Sequence, residues 1–217
     1  MRILVYGRGS SLSCINHDAL KKKFDHVFLV NEFDTFVDKD ENLQNFLKNN
    51  NIIQFTNISQ EGLTDHFINS LNVQKIYLTA LKPNGSGNFW RNRRFFSNTL
   101  QKNAECCYVH DDCEPYMELV KGTSEVALIS ALAEYKAKEI YTIGIDFYQS
   151  KYHLKIDDWA MNRAQRDYTN PMLEAHKNII AKFPKVKFTY ITSSNFNSNL
   201  KNHNCIYVCD SKDNEEQ

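Results

Sequence analysis

The chain lacks net charge. Its 26 lysines and arginines are matched by 26 aspartates and glutamates over 217 residues. A protein whose main partner is a polyanion concentrates positive charge to displace counterions, so nucleic acid is not expected as a principal partner. Cysteine pairs are missing too. None of the six cysteines forms a Cys-x-x-Cys; Cys106 and Cys107 are adjacent, Cys113 follows, and Cys14, Cys205 and Cys209 are scattered. Zinc needs paired ligands at short, repeated spacing, so no metal is assigned and the thiols are read as free, in a reducing compartment. No apolar run reaches the roughly 18 residues that read as a membrane-spanning helix. The opening MRILVYGRG passes straight into a strand pattern without the apolar core of a secretory leader. A cytoplasmic location is the resulting expectation. Neither GxGxxG nor the GxxxxGK[ST] phosphate loop occurs, and no internal repeat is visible.

What is present alternates between two periods. Short β-branched and aromatic runs read as strands: RILVYG (2–7), HVFLVNEF (26–33), NIIQFTN (51–57), QKIYLTAL (74–81), EIYTIGI (139–145) and VKFTYIT (186–192). Between them lie helical patterns: INHDALKKKF (15–24), GLTDHFINSLN (62–72), TSEVALISALAEYK (123–136) and MLEAHKNIIAKF (172–183). In the third of these, Val126, Ile129, Leu132 and Ala133 share one face. Such alternation predicts an α/β fold: a single Rossmann-like domain over 1–210 with a mostly parallel sheet flanked by helices. KPNGSGNFWRNRR (82–94) reads as a loop, part of a loop or lid around 82–120, and the polar end 211–217 as a frayed tail.

Ligands of such folds sit beyond the carboxyl ends of the strands, where the strand order reverses. Four strand ends carry polar residues suited to that place. The first runs into Gly7-Arg8-Gly9-Ser10-Ser11, the second into Asn31, the third into Asn57, and EIYTIGI into Asp146, Phe147, Tyr148 and Gln149. The glycine turn suits either a phosphate cradle or a tight turn with no ligand. Thr123 and Ser124 suit either a helix cap or a ligand contact.

The run GTSEVALISALAEYKAKEIYTIGIDFYQ (122–149) resembles the bacterial lipooligosaccharide sialyltransferases, glycosyltransferase family 42. YGRGSSL and VNEF resemble that family's glycine turn and second strand end. A weaker likeness, through LEAHKNIIAKFPKVKFTYI, runs to the eukaryotic sialyltransferases of family 29. The resemblance implies a variant of the GT-A fold and transfer of a sugar from CMP-sialic acid to an acceptor hydroxyl, with inversion and no essential metal or cofactor. By that mapping Gly7, Gly9 and Ser11 approach the CMP phosphate and ribose, and Asn31 and Asn57 bind the nucleotide. Thr123 and Ser124 contact the donor sugar, Asp146 and Phe147 flank the cytidine, and Tyr148 and Tyr152 hydrogen-bond the departing phosphate. Lys121 stands where the family carries an arginine beside the acceptor, and Trp90 offers an apolar face for a sugar ring. The implied partners are a nucleotide-sugar donor and a glycan or glycolipid acceptor, with peripheral membrane contact and homo-oligomer formation left open.

Three positions depart from the family's pattern. Arg8 replaces an asparagine in the glycine turn and is suited to pair with a phosphate. Glu125 replaces a glycine and is expected to crowd the donor pocket. The histidine that would take the acceptor's proton is missing, its place falling near Asp167, Tyr168 or Thr169 in RAQRDYTNPMLEAH. Asp167 or His153 is the candidate replacement, with a chain that has lost or changed the reaction as the other reading. His176 is read as a helix-surface or core residue. His110, beside Asp111 and Asp112, reads as a polar loop or as a base or metal site. A second enzyme class stays open: glycine turns and a Gly-Ile-Asp strand end also resemble archaeal-type hydroxymethylpterin diphosphokinases, which need ATP and a magnesium ion that Asp111, Asp112 and Asp146 would hold. The third reading is a nucleotide- or sugar-binding module without catalysis.

Overall fold

A computed structural model describes residues 1–15, 20, 24–31, 41–56, 71, 73–79, 105–149 and 158–208. They contain eight strands: β1 (Arg2–Tyr6), β2 (His26–Val30), β3 (Ile52–Thr56), β4 (Val73–Leu78), β5 (Glu105–Tyr108), β6 (Glu139–Ile143), β7 (Lys187–Thr192) and β8 (His203–Tyr207). The α-helices among the described residues are α1 (Glu41–Lys48), α2 (Thr123–Ala133) and α3 (Asp158–Lys182). Two 3₁₀ segments, Ser10–Cys14 and Asp111–Leu119, complete them.

The strands form one sheet in the order β5-β4-β3-β2-β1-β6-β7-β8. Every neighbouring pair is parallel, which makes the expected mostly parallel sheet a wholly parallel one. The chain steps outward from β1 to β5, then returns to lay β6 on the other side of β1. The reversal of strand order therefore lies between β1 and β6, and the carboxyl ends of those two strands open a crevice.

Both faces of the sheet are covered, which explains why the strands read as unbroken apolar runs. Ile3 and Val5 of β1 face a core built with α2 and α3, while Leu4 and Tyr6 face a second core containing Leu43 and Leu47 of α1. Helix α2 departs from the expected single apolar face. All its residues from Ser124 to Ala133 are buried, because the 3₁₀ segment and α3 enclose the side turned away from the sheet.

Several boundaries differ from expectation. The strand ends stop short of the polar residues that follow them. The helix expected over 172–183 is the second half of α3, which runs on upstream through Pro171. A proline inside a helix removes one hydrogen bond, here to the carbonyl of Asp167. The helix persists because Met172, Ala175, His176, Ile179 and Ile180 form a buried stripe at helical spacing. The span 82–120, expected to be a loop or lid, holds β5 and a 3₁₀ segment in its later part. Strands β5 and β8 were not legible, since ECCY and HNCIY carry neither a long apolar run nor clean alternation. The expected helices over 15–24 and 62–72 fall largely outside the described residues, and the loop 82–94 and tail 211–217 entirely so. Cys14, Cys107, Cys113 and Cys205 are in no disulfide. No helix among the described residues is long and apolar enough to cross a membrane.

Gly144, which follows β6, has φ +70°, and a Cβ there would stand 2.5 Å from the carbonyl oxygen of Gly7. Gly144→Ala is expected to cost about 3 kcal/mol or more, from the left-handed backbone together with overpacking. A urea unfolding curve with unchanged slope reads this directly. A loss below about 1 kcal/mol would show that the two turns have room to separate.

Candidate functional site

The site begins where the chain leaves β1 and β6. The Gly7 amide donates to the Ile143 carbonyl at 2.7 Å, and the Gly9 amide donates to Gly144 at 2.7 Å. In return the Gly144 amide donates to the Ser11 hydroxyl at 3.0 Å. Asp146 locks this junction. Its carboxylate accepts from the Ser11 amide at 2.9 Å, from the Thr192 hydroxyl at 2.7 Å and from the Ser193 amide at 3.1 Å. A side chain at Gly9 would run into that carboxylate. The glycine turn thus has a structural cause independent of any ligand: β1, β6 and β7 are tied together through one nearly buried carboxylate.

Above the junction lies a cavity that opens to solvent. Its walls come from four places: Gly7 to Gly9 after β1, Val30 and Asn31 at the end of β2, Gly122 to Ser124 at the start of α2, and Gly144 to Tyr148 after β6, with Met172 of α3 closing one side. Of the residues expected to bind a nucleotide sugar, Gly7, Arg8, Gly9, Asn31, Thr123, Ser124, Asp146, Phe147 and Tyr148 meet on this wall. Ser11 does not line it; its hydroxyl is fully buried against Gly144. Neither Thr123 nor Ser124 caps α2, whose N-cap is Gly122 without a side-chain bond. Lys121 is exposed, one residue before the wall. Asn57, Trp90, Tyr152 and His153 lie outside the described residues.

The wall holds unusual backbone. Asn31, Phe147 and Tyr148 have φ of 68°, 51° and 57°. Left-handed backbone at bulky residues costs roughly 1–2 kcal/mol each and persists where surrounding packing over-determines it. Here the Phe147 ring is turned inward, 2% exposed, with its centroid 4.6 Å from Phe196 and 4.9 Å from His176. That leaves the half-buried Tyr148 at the rim, facing Tyr168 of α3 at 6.4 Å between ring centroids.

The acid–base candidates separate. Asp167 is exposed on α3 and paired with Arg166 at 2.7 Å and Arg163 at 3.7 Å. Those arginines, Arg166 first, hold its carboxyl below the usual range, which makes it a weaker proton acceptor near neutral pH. His110 caps the 3₁₀ segment, its Nδ1 accepting from the Asp112 amide at 3.1 Å. Asp112 pairs with Lys136, just past the C-terminal end of α2, whereas Asp146 lies by the N-terminal end. Asp111, Asp112 and Asp146 therefore do not converge, and among the described residues no group of three or more His, Cys, Asp or Glu could hold a metal ion.

One polar cluster went unread in the sequence. Glu125, expected to crowd the pocket, is instead fully buried beneath it, its Oε1 2.7 Å from His176 Nε2. The other nitrogen, Nδ1, lies 2.8 Å from the Tyr190 hydroxyl. Burial would raise the Glu125 carboxyl, but the hydrogen bond and charge of His176 outweigh it and bring it below its ordinary value. Burial, then the Glu125 charge, lifts the Tyr190 phenol well above its own. The available signal was position: His176 falls in the apolar stripe of MLEAHKNIIA, and Glu125 in the apolar run SEVALISALA.

No family model and no curated protein matches the chain. Among solved structures, the fold is similar to that of the sialyltransferase CST-II in complex with a trisaccharide acceptor and CMP. The match has a TM-score of 0.57 and 19% sequence identity, and covers 88% of this chain and 80% of that one. The likeness is one of fold.

Two outcomes follow from the junction and the buried pair. Asp146→Asn replaces an accepting oxygen with a donor and strands at least one buried N–H or O–H, an expected loss of about 1–3 kcal/mol in urea unfolding. A change within about 0.5 kcal/mol would show that the carboxylate is dispensable to the junction. For Glu125 the folded value is depressed, so its stabilisation is present above the unfolded carboxyl value near 4.3 and is lost as pH falls through the folded one. The urea midpoint of the wild type is expected to fall more steeply below about pH 4.3 than that of Glu125→Gln; parallel curves would contradict the direction.

Proposed function

We propose that the chain is a glycosyltransferase of the sialyltransferase kind, taking its sugar from a CMP-linked donor. The observation that carries the reading is the cavity at the β1–β6 reversal, which gathers Gly7 to Gly9, Asn31, the start of α2 and Tyr148 on one wall. The family 42 pattern in GTSEVALISALAEYKAKEIYTIGIDFYQ supports it, as does the likeness to a sialyltransferase fold that holds CMP.

The chemistry asks little beyond that wall. Departure of CMP builds negative charge on its phosphate, and donors aimed there stabilise the transition state. Tyr148 and Arg8 border the cavity, and a phenol and a guanidinium suit that task. Backbone amides at the start of α2, which has no side-chain cap, add a favourable dipole for an anion. A transfer of this kind inverts the sugar carbon, forms the new glycosidic bond as the bond to phosphate breaks, and sends the acceptor's hydroxyl proton to a base. With Asp167 held by two arginines, His153 is assigned that role, and Tyr152 a second contact to the phosphate. Lys121 and Trp90 are assigned to a glycan or glycolipid acceptor. The diphosphokinase reading loses ground because its three carboxylates lie at opposite ends of α2.

Calorimetric titration with CMP, CDP, UDP and ATP, each with and without magnesium, tests the reading. Magnesium-independent binding of CMP is expected, weakened about tenfold in Tyr148→Phe through loss of one charge-assisted hydrogen bond. Preference for ATP with magnesium, or no binding of any nucleotide, would overturn it.

A further inference from the structure

We propose that Glu125, His176 and Tyr190 are positioning residues for the cavity: a buried hydrogen-bonded chain that fixes the start of α2 against the left-handed Phe147–Tyr148 turn. The proposal rests on reading the cavity as a ligand site.

The three side chains come from α2, α3 and β7, and each is completely buried. None reaches the cavity, yet every wall beside them is one contact away. The hydroxyl of Ser124, on the wall, donates to Glu125 Oε1 at 3.2 Å. Oε2 of Glu125 stands so close to Gly122, another wall residue, that a Cβ there would lie 3.2 Å from it. The ring of Phe147 meets His176 edge-on at 81°. Met172, which closes the cavity on α3, lies one helical turn before His176. The walls contributed by α2, the β6 turn and α3 therefore share one support.

The imidazole is fixed at both nitrogens, so its ring plane is fixed as well. Whether it carries one proton or two, a single arrangement satisfies it. The Tyr190 phenol remains protonated and is hydrogen-bonded to Nδ1, while Nε2–H donates to Glu125. That settles which face the imidazole presents to Phe147.

An apolar trio of the same volume would fill this space without desolvating a carboxylate, and such replacements in cores are often neutral or stabilising. A buried polar chain instead selects one arrangement of the groups around it. The arrangement needing selection is adjacent: two consecutive bulky residues in left-handed backbone, closed by the Gln149 amide donating to the Asp146 carbonyl at 2.9 Å and otherwise held by packing.

The test compares full-length His176→Gln, Glu125→Gln and Tyr190→Phe with Ile179→Val, a buried apolar truncation on the same helix. Each folded variant is studied below its melting temperature by ¹H–¹⁵N amide spectra and by CMP titration. His176→Gln is expected to shift the amides of Gly122 to Ser124 and of Gly144 to Gln149 together and to raise the CMP Kd at least tenfold, the scale of one lost charged hydrogen bond. Glu125→Gln retains an acceptor for Nε2–H and is expected to keep most of the wild-type affinity. Tyr190→Phe, the mildest change, keeps the proposal testable if His176→Gln does not fold, and is expected to move the same two amide groups. Ile179→Val lowers the melting temperature without moving them. If His176→Gln and Tyr190→Phe also lower only the melting temperature, leaving amides and Kd at wild-type values, the three residues are core filling and the proposal fails. If the wild type binds no CMP, the nucleotide reading fails while the amide comparison still decides the proposal.

Discussion

The structure turns on the contact between two chain reversals. One leaves β1 at Gly7, the other leaves β6 at Gly144, and they touch through backbone hydrogen bonds at 2.7 Å. No side chain fits between them. Asp146 then draws β7 into the same junction through Thr192 and Ser193. Because sheet order reverses at this pair of strands, the tightest backbone contact in the neighbourhood is also the base of the cavity. The rigid junction and the cavity above it have one origin here.

That origin changes how the polar strand end Gly-Ile-Asp-Phe-Tyr-Gln is understood. Asp146 reaches the wall, but its carboxylate oxygens are occupied by Ser11, Thr192 and Ser193. Phe147 turns inward and Gln149 accepts from the Asn195 amide. Tyr148 is left as the side chain of this turn that stands at the cavity's rim. A run of polar residues after a strand can therefore serve the fold with most of its members and place one at the rim of a cavity.

The α/β class and six of the eight strands were legible because parallel strands buried on both faces leave long apolar runs. The cavity wall was legible because strand-end positions are set by the fold rather than by side-chain detail. Strands β5 and β8 were not, being short edge strands whose sequences carry little apolar periodicity. The role of Ser11 was hidden because a serine after a glycine turn looks the same whether it meets a ligand or a backbone amide. The Glu125–His176–Tyr190 chain was hidden for a different reason. Its members are 51 and 14 residues apart in sequence, and only the packing of α2, α3 and β7 makes one group of them. The Thr123-Ser124 pair lay between these cases: its place was legible, while the donation from Ser124 to Glu125 was not.

Every role proposed for the cavity depends on the β1–β6 junction carrying a nucleotide-binding wall. Amide chemical-shift mapping of the full chain on addition of CMP tests it most directly. The largest shifts are expected on Gly7 to Gly9, Asn31, Thr123, Ser124 and Tyr148, with β8 unaffected. Shifts concentrated elsewhere, or none at saturating CMP, would contradict it.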